Sequence, residues 1–246
     1  MRFFITFAYD GSKYSGYQKQ PKKKTVQGEI EKALKQLNAG KDVSLVASGR
    51  TDAGVHAYNQ RAHFDMNTKI TPEKIKLGLN SLIPDDIYVK KVYEVDDNFH
   101  ARFNVKAKEY IYKINMGTYN PIEKDYIYQY NKKLDIPEME RALKYLEGTH
   151  DFRSFVKIDE EKDDYVRTIV QTTLNREVKN VNKITICILG TGFMRYMVRN
   201  IVGMLIEIGE GKYKSEDIID ILRAKDRTQA GKCAPACGLY LKDVYY

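Results

Sequence analysis

Hydrophobic and polar residues alternate along several short stretches of this chain. The alternation predicts strands over Arg2–Tyr9, Val43–Ala47, Gln60–Asp65, Tyr88–Val95 and Lys108–Asn115, and again over Thr172–Arg176 and Lys183–Leu189. The last two flank "EVKNVN", which reads as a hairpin connection. Elsewhere the period lengthens to that of a helix. Val26, Ile30, Ala33, Leu34 and Leu37 share one face of a helix over Val26–Leu37, with Thr25 as its N-cap. "TPEKIKLGLNSL" and "IPEMERALKYLEG" each place proline in a first helical turn, and "SEDIIDILRA" opens on a serine cap. "MVRNIVGMLIEIGEG" predicts a strongly apolar helix stopped by Gly209 and Gly211. Because the strands are amphipathic rather than uniformly apolar, antiparallel or mixed sheets with helices on one face fit best. A break over Asn104–Lys108 divides the chain into two α/β halves, 1–105 and 106–246.

Charge changes this picture more than length does. Lys and Arg number 41 against 33 Asp and Glu, a formal charge of +8, which favours a polyanionic partner such as nucleic acid over a plain lysine-rich surface only when other features agree. No apolar run approaches the roughly 18 residues of a membrane helix. The opening "MRFFITFAYDG" alternates and lacks a small-residue cleavage site, so it reads as a strand rather than a signal peptide. The three cysteines, Cys187, Cys233 and Cys237, fit reduced thiols in a cytoplasmic protein, and none completes a zinc site. No Walker loop, dinucleotide fingerprint, nucleophile elbow or zinc-protease helix is present in the sequence. A reaction at a single carboxylate, without cofactor or metal, therefore leads among the enzyme readings.

Three segments could carry such chemistry. In "SGRTDAGVHA", Asp52 sits two residues from Arg50 in a glycine-punctuated loop. The pattern fits a simple turn, and it equally fits an accessible carboxylate kept ionised by a neighbouring guanidinium, with Gly49, Ala53 and Gly54 leaving room for a ligand. In "GTGFMRYMVRNIVG", Arg195 and Arg199 are expected one helical turn apart on the same face, and Arg199 needs a partner if it is buried. "PKKKTVQG" gathers Lys22, Lys23 and Lys24 before a helix, and "FHARFNVKAKEYIYKI" interleaves Arg102, Lys106 and Lys108 with Tyr110 and Tyr112, which share one strand face. His56, His63, His100 and His150 show no ligand spacing and read as structural or surface residues.

Read together, "YDGSKYSGYQKQ", "TVQGEIEKAL", "GRTDAGVHA", "FHARF", "KEYIYKI", "GTGFMRYMVRNIVG" and "CAPACGLYLKDVYY" resemble, in order and from Tyr9 to Tyr245, the tRNA pseudouridine synthase A family. The resemblance implies an α+β fold of two halves whose antiparallel sheets join into one extended mixed sheet, with helices packed on it and an active cleft between the halves. It implies an isomerase that converts uridine to pseudouridine in the anticodon stem-loop of tRNA, at tRNA positions 38 to 40, as a cytoplasmic homodimer with neither metal nor organic cofactor. By matching position, Asp52 is the expected catalytic aspartate, Arg50 its neighbour and Arg199 the arginine that pairs with the catalytic carboxylate. Tyr110 is the expected base-stacking ring and Leu239 an apolar residue of the base pocket. On that reading Lys22, Lys23, Lys24, Arg102 and Lys106 grip phosphates. Isomerisation neither gains nor loses atoms, and the carboxylate either attacks C1′ or removes a ribose proton. The chain departs from the family pattern at Tyr17, Thr191, Arg195, Tyr196 and Cys233. Two other readings stand beside this one. An RNA-binding protein without catalysis would leave Asp52 dispensable, and a nucleotide-handling hydrolase would want a second carboxylate or a metal cluster.

Overall fold

A computed structural model describes residues 1–158 and 164–246. The chain divides into two compact units, Met1–Lys106 with Tyr240–Tyr246, and Ala107–Leu239. Both combine helices with mixed sheets of mostly antiparallel strands, the α+β class expected.

The first unit is built on β1 (Arg2–Tyr9), whose alternation buries Phe3, Ile5, Phe7 and Tyr9 on one side. It pairs antiparallel with β3 (His56–Asp65) and with β4 (Ile87–Val95). The two-residue β2 (Val46–Ala47) adds to β3, so the strand expected over Val43–Ala47 is shorter than its pattern. In β4 the register shifts between Thr6 and Phe7 of its partner, where Thr6 faces Lys91 and Phe7 faces Val89. This bulge lets Ile87, Val89 and Val92 all be buried although they break strict alternation.

Helix α1 (Val26–Leu37) forms over the residues its period predicts, and Thr25 Oγ1 accepts the Gly28 N–H at 3.3 Å. Helix α2 (Pro72–Leu82) begins on its proline. Asn80 of α2 accepts the Val89 N–H at 2.8 Å and donates to the Val89 carbonyl at 2.9 Å, satisfying backbone groups of β4, which has one strand neighbour in this sheet. The fifth strand comes from late in the sequence. β10 (Leu239–Tyr245) runs parallel to β3, with Tyr240 opposite His56 and Leu241 opposite Ala57, and so returns residues expected in the C-terminal half to the first unit.

The second unit carries β5 (Ala107–Asn115), β7 (Gly148–Asp151), β8 (Val166–Glu177) and β9 (Asn180–Gly190) in the order β5-β9-β8-β7, all antiparallel, with the short β6 (Tyr128–Gln129) parallel to β5. β8 and β9 form the expected hairpin. Ile184, Ile186 and Ile188 of β9 and Tyr112 and Ile114 of β5 are buried, as are Met139, Ala142 and Leu143 of α3 (Ile136–Tyr145). Helix α4 (Met197–Gly209) is apolar nearly all round and correspondingly buried. It ends as expected, with Gly211 at φ +77 and its N–H on the Ile208 carbonyl. Helix α5 (Asp217–Ala224) starts one residue later than its sequence predicts, and the Ser215 hydroxyl donates to Glu216 instead of capping the helix. Among the described residues no helix is long and apolar enough to cross a membrane.

His63, in β3, is 4% exposed, and its Nδ1 accepts the Ala101 N–H at 3.1 Å. Burial, then the charges of Arg2 and His100, lower its pKa to about 4. The folded protein therefore holds this imidazole neutral, while the unfolded chain protonates it near pH 6.5. Stability from this site is present above about pH 6.5 and is lost as pH falls towards 4. Thermal unfolding at pH 7 and pH 5 is expected to show a larger loss in the wild type than in His63→Gln. Equal losses would remove His63 as the cause.

Candidate active site

In the first unit, the loop carrying Asp52 leaves Ser48 and enters β3 at His56. Gln60, itself fully buried, holds its start. The Ser48 hydroxyl bonds Gln60 Oε1 at 2.7 Å, and Gln60 Nε2 donates to the Gly49 carbonyl at 3.1 Å. At the apex the Val55 N–H bonds the Asp52 carbonyl at 3.2 Å, with Gly54 at φ +78, the value required at the third position of a type II turn. The turn reading is thus correct: Asp52 is the first residue of the turn, and Ala53 and Gly54 form its corner.

The segment Asp10–Tyr17 lies against this loop. A Cβ on Gly11 would overlap the Val55 carbonyl, and one on Gly16, whose φ is +95, would sit 3.0 Å from the Thr51 carbonyl oxygen. That carbonyl accepts the Tyr17 N–H at 3.1 Å, and the Thr51 hydroxyl bonds Tyr9 Oη at 2.8 Å. His56 Nδ1 accepts the Gly11 N–H at 3.1 Å. A backbone bond therefore fixes Thr51, and the turn bond and the close approach of Gly11 fix Val55, so the backbone on either side of Asp52 is braced. Gly11, Gly16, Tyr9 and Gln60 were not singled out from sequence as positioning residues. The partners of Gly11, Gly16 and Tyr9 lie 35 to 44 residues away and those of Gln60 11 and 12 residues away across the loop, which local spacing does not reveal.

The other expected residues of this unit fall into two groups. Lys22, Lys23 and Lys24 lie at the Asp52 end of the sheet, since the Ser15 N–H bonds the Lys24 carbonyl at 3.0 Å and the Val26 N–H bonds the Gly16 carbonyl at 3.4 Å. Lys22 and Lys23 are exposed. Lys24 Nζ is 3.3 Å from Asp86 and 4.5 Å from the Tyr14 ring, so part of its charge is already answered. Arg102 and Lys106 lie elsewhere. Arg2, at the start of β1, donates to the Phe99 carbonyl at 2.8 Å, which puts the loop of Arg102 at the opposite end of the strand from Gly11. Eight residues of strand separate the two ends by about 23 Å. Arg50 is exposed beside Asp52.

In the second unit, Tyr110 projects from β5 opposite Ile188 and packs edge-on against Phe193 at 5.1 Å and 78°. Phe193, in the loop before α4, is a contact that spacing did not single out. Arg199 lies in the first turn of α4, but Arg195 does not share its helix. Tyr196 takes the left-handed conformation at φ +64 and starts the helix after itself, leaving Arg195 in the preceding turn. Both guanidinium groups instead lie over the Tyr196 ring, at 4.9 and 5.3 Å.

Arg199 Nε donates to the Ala234 carbonyl at 2.8 Å, and the Ala234 N–H returns a bond to the Arg199 carbonyl at 3.0 Å. This double bond-pair is possible because Gly203, one turn on, admits the Lys232 carbonyl where any Cβ would overlap it. The same segment meets β5. Tyr112 Oη donates to the Pro235 carbonyl at 2.7 Å, and Gly238 leaves its Cβ position to the Tyr112 ring. Leu239 follows, buried. Tyr112, on the same side of β5 as Tyr110, thus ties the strand bearing Tyr110 to the segment holding Arg199. Burial raises the pKa of the Cys237 thiol. Among the described residues no group of three or more His, Cys, Asp and Glu side chains is arranged to hold a metal ion.

Comparison with known proteins places the chain among isomerases that modify tRNA. The sequence profile described as tRNA pseudouridine synthase matches residues 5–104 and 142–246, and the chain belongs to that family. Over its full length it is 46% identical to the tRNA pseudouridine synthase A of Geobacillus sp. (strain WCH70), covering 98% of that protein. It is 44% identical to that of Bacillus subtilis (strain 168), covering 99% of it, and 45% identical to that of Lacticaseibacillus casei (strain BL23), with 98% of each chain covered.

Two stability outcomes follow from this geometry. Tyr17 is 3% exposed and its hydroxyl has no hydrogen-bond partner among the described residues, so burial costs it solvation without return. Tyr17→Phe is expected to raise stability by about 1 kcal/mol in urea unfolding, and a lower midpoint would refute this. Gly203→Ala is expected to cost at least about 2 kcal/mol in the same assay.

Proposed function

We propose that this protein isomerises uridine to pseudouridine in the anticodon stem-loop of tRNA, at tRNA positions 38 to 40, with Asp52 as nucleophile. The observation that carries the proposal is the Asp52 turn, braced by Gly11, Gly16, Tyr17 and Gln60 in a chain that belongs to the tRNA pseudouridine synthase family. The relatives' shared name supports tRNA as substrate, and the charge of +8 suits a polyanion.

In this reading the target uridine leaves its helical stack before reaction. The Asp52 carboxylate attacks C1′ as the C1′–N1 bond breaks, giving an ester at C1′. The released uracil turns so that C5 bonds C1′ while the C1′–O bond to Asp52 breaks and frees the carboxylate. The C5 proton passes to solvent and N1 regains one, so the atoms balance without a cofactor. Tyr110 offers its ring to the base and Leu239 an apolar wall. The anchored cation Arg199 favours the ionised carboxylate, and Arg50 adds a second positive charge. Lys22 and Lys23 attract phosphates, with Lys24 contributing less because of Asp86. The enzyme works in the cytoplasm as a homodimer, to be read as a solution mass near twice 28.5 kDa.

The test is release of tritium from tRNA labelled at uracil C5. Wild-type protein is expected to release it, with pseudouridine mapped to the anticodon stem-loop. Asp52→Asn is expected to lose at least about a thousandfold in rate while its Kd for tRNA stays within about twofold. Retained turnover in Asp52→Asn would sink the nucleophile, and no release by wild type with a full tRNA set would sink the function.

A further inference from the structure

Phe103 is 77% exposed, more than any other Phe or Tyr among the described residues, yet its surroundings are tightly built. Its ring stacks on His100 with centroids 4.1 Å apart and planes 22° from parallel, and His100 meets the buried His63 edge-on at 4.7 Å. His100 Nδ1 accepts the N–H groups of both Arg102 and Phe103, at 3.1 and 3.2 Å. Asn104 closes the loop on His100 through its side chain and its own N–H. Beneath them Ala101 is fully buried, and its carbonyl accepts Tyr246 Oη at 2.6 Å. The loop thus fixes a large apolar ring in solvent, with the Arg102 guanidinium 6.0 Å from its centroid.

We propose that Phe103 is a stacking platform for an unpaired nucleobase of the tRNA, remote from the reacting uridine, with Arg102 holding the adjoining phosphate. The proposal rests on the function given above. A base in a duplex hides both faces, whereas an unpaired one offers a face to an aromatic ring and a phosphate to a guanidinium, and this loop presents that pair of groups. The loop lies at the far end of β1 from Asp52, about 23 Å away by strand length. The contact therefore binds and orients substrate without touching the reacting atoms, and it serves affinity rather than rate.

Binding is read in the Asp52→Asn background, so that the result does not depend on turnover. Adding Phe103→Ala is expected to raise the Kd for full-length tRNA about tenfold, and Phe103→Tyr to restore it. In the active protein, Phe103→Ala is expected to raise KM by the same factor while kcat changes less than twofold. An unchanged Kd overturns the platform even if the wild type makes pseudouridine. A shift in oligomeric mass with Kd unchanged assigns the ring to a protein contact and also overturns it. Absence of tritium release by the wild type, with the Kd effect present, overturns the isomerase reading and leaves the platform standing.

Discussion

Two backbone segments approach more closely than side chains would allow, and the placement of Asp52 depends on it. Residues 10–17 lie against 51–55 because Gly11 and Gly16 have no Cβ to collide with the carbonyls of Val55 and Thr51. Once there, the Tyr17 N–H, the Tyr9 hydroxyl and His56 complete the bonding of that interface. For the proposed attack of this carboxylate on one carbon atom, such bracing preserves orientation that a loose loop would lose. The second unit uses the same device. Gly203 admits the Lys232 carbonyl to the side of α4, and Arg199 is thereby bonded front and back to Ala234.

Much of the secondary structure was legible because local signals agreed with one another. Thr25 and a helical period fix α1 at both ends, and β1 and the β8–β9 hairpin follow from alternation and turn chemistry. What was not legible depends on distant partners. The β4 bulge at Lys90 and Lys91 answers the register of β1, and β10 pairs with a strand far earlier in the chain, so nothing beside Tyr240 announces it. Arg195 was misplaced because a left-handed Tyr196 is not expected of a bulky residue, and Ser215 because Glu216 takes its hydroxyl.

The candidate site divides along the same line. Asp52, Tyr110 and Arg199 were legible by resemblance to family motifs, and each occupies a structured position rather than a loose surface. Lys24 shows the limit of a charge run read alone, because Asp86 and Tyr14 occupy it. The glycines and Gln60 were silent in the sequence for a physical reason. A close approach is a property of two segments, and either one alone looks like an ordinary turn.

β10 has a bearing on how the molecule is made. Its pairing with β3 brings together residues as far apart as Asn59 and Lys242, so the first unit is interrupted by the whole of the second. During synthesis the Asp52 loop and four of its unit's strands emerge early and wait for the fifth until the second unit has been translated. Closing so long a loop is slow and costly before any contact rewards it. A nascent chain therefore cannot finish the unit that carries its carboxylate until the whole of the second unit has been translated, which ties completion of the first unit to synthesis of the other.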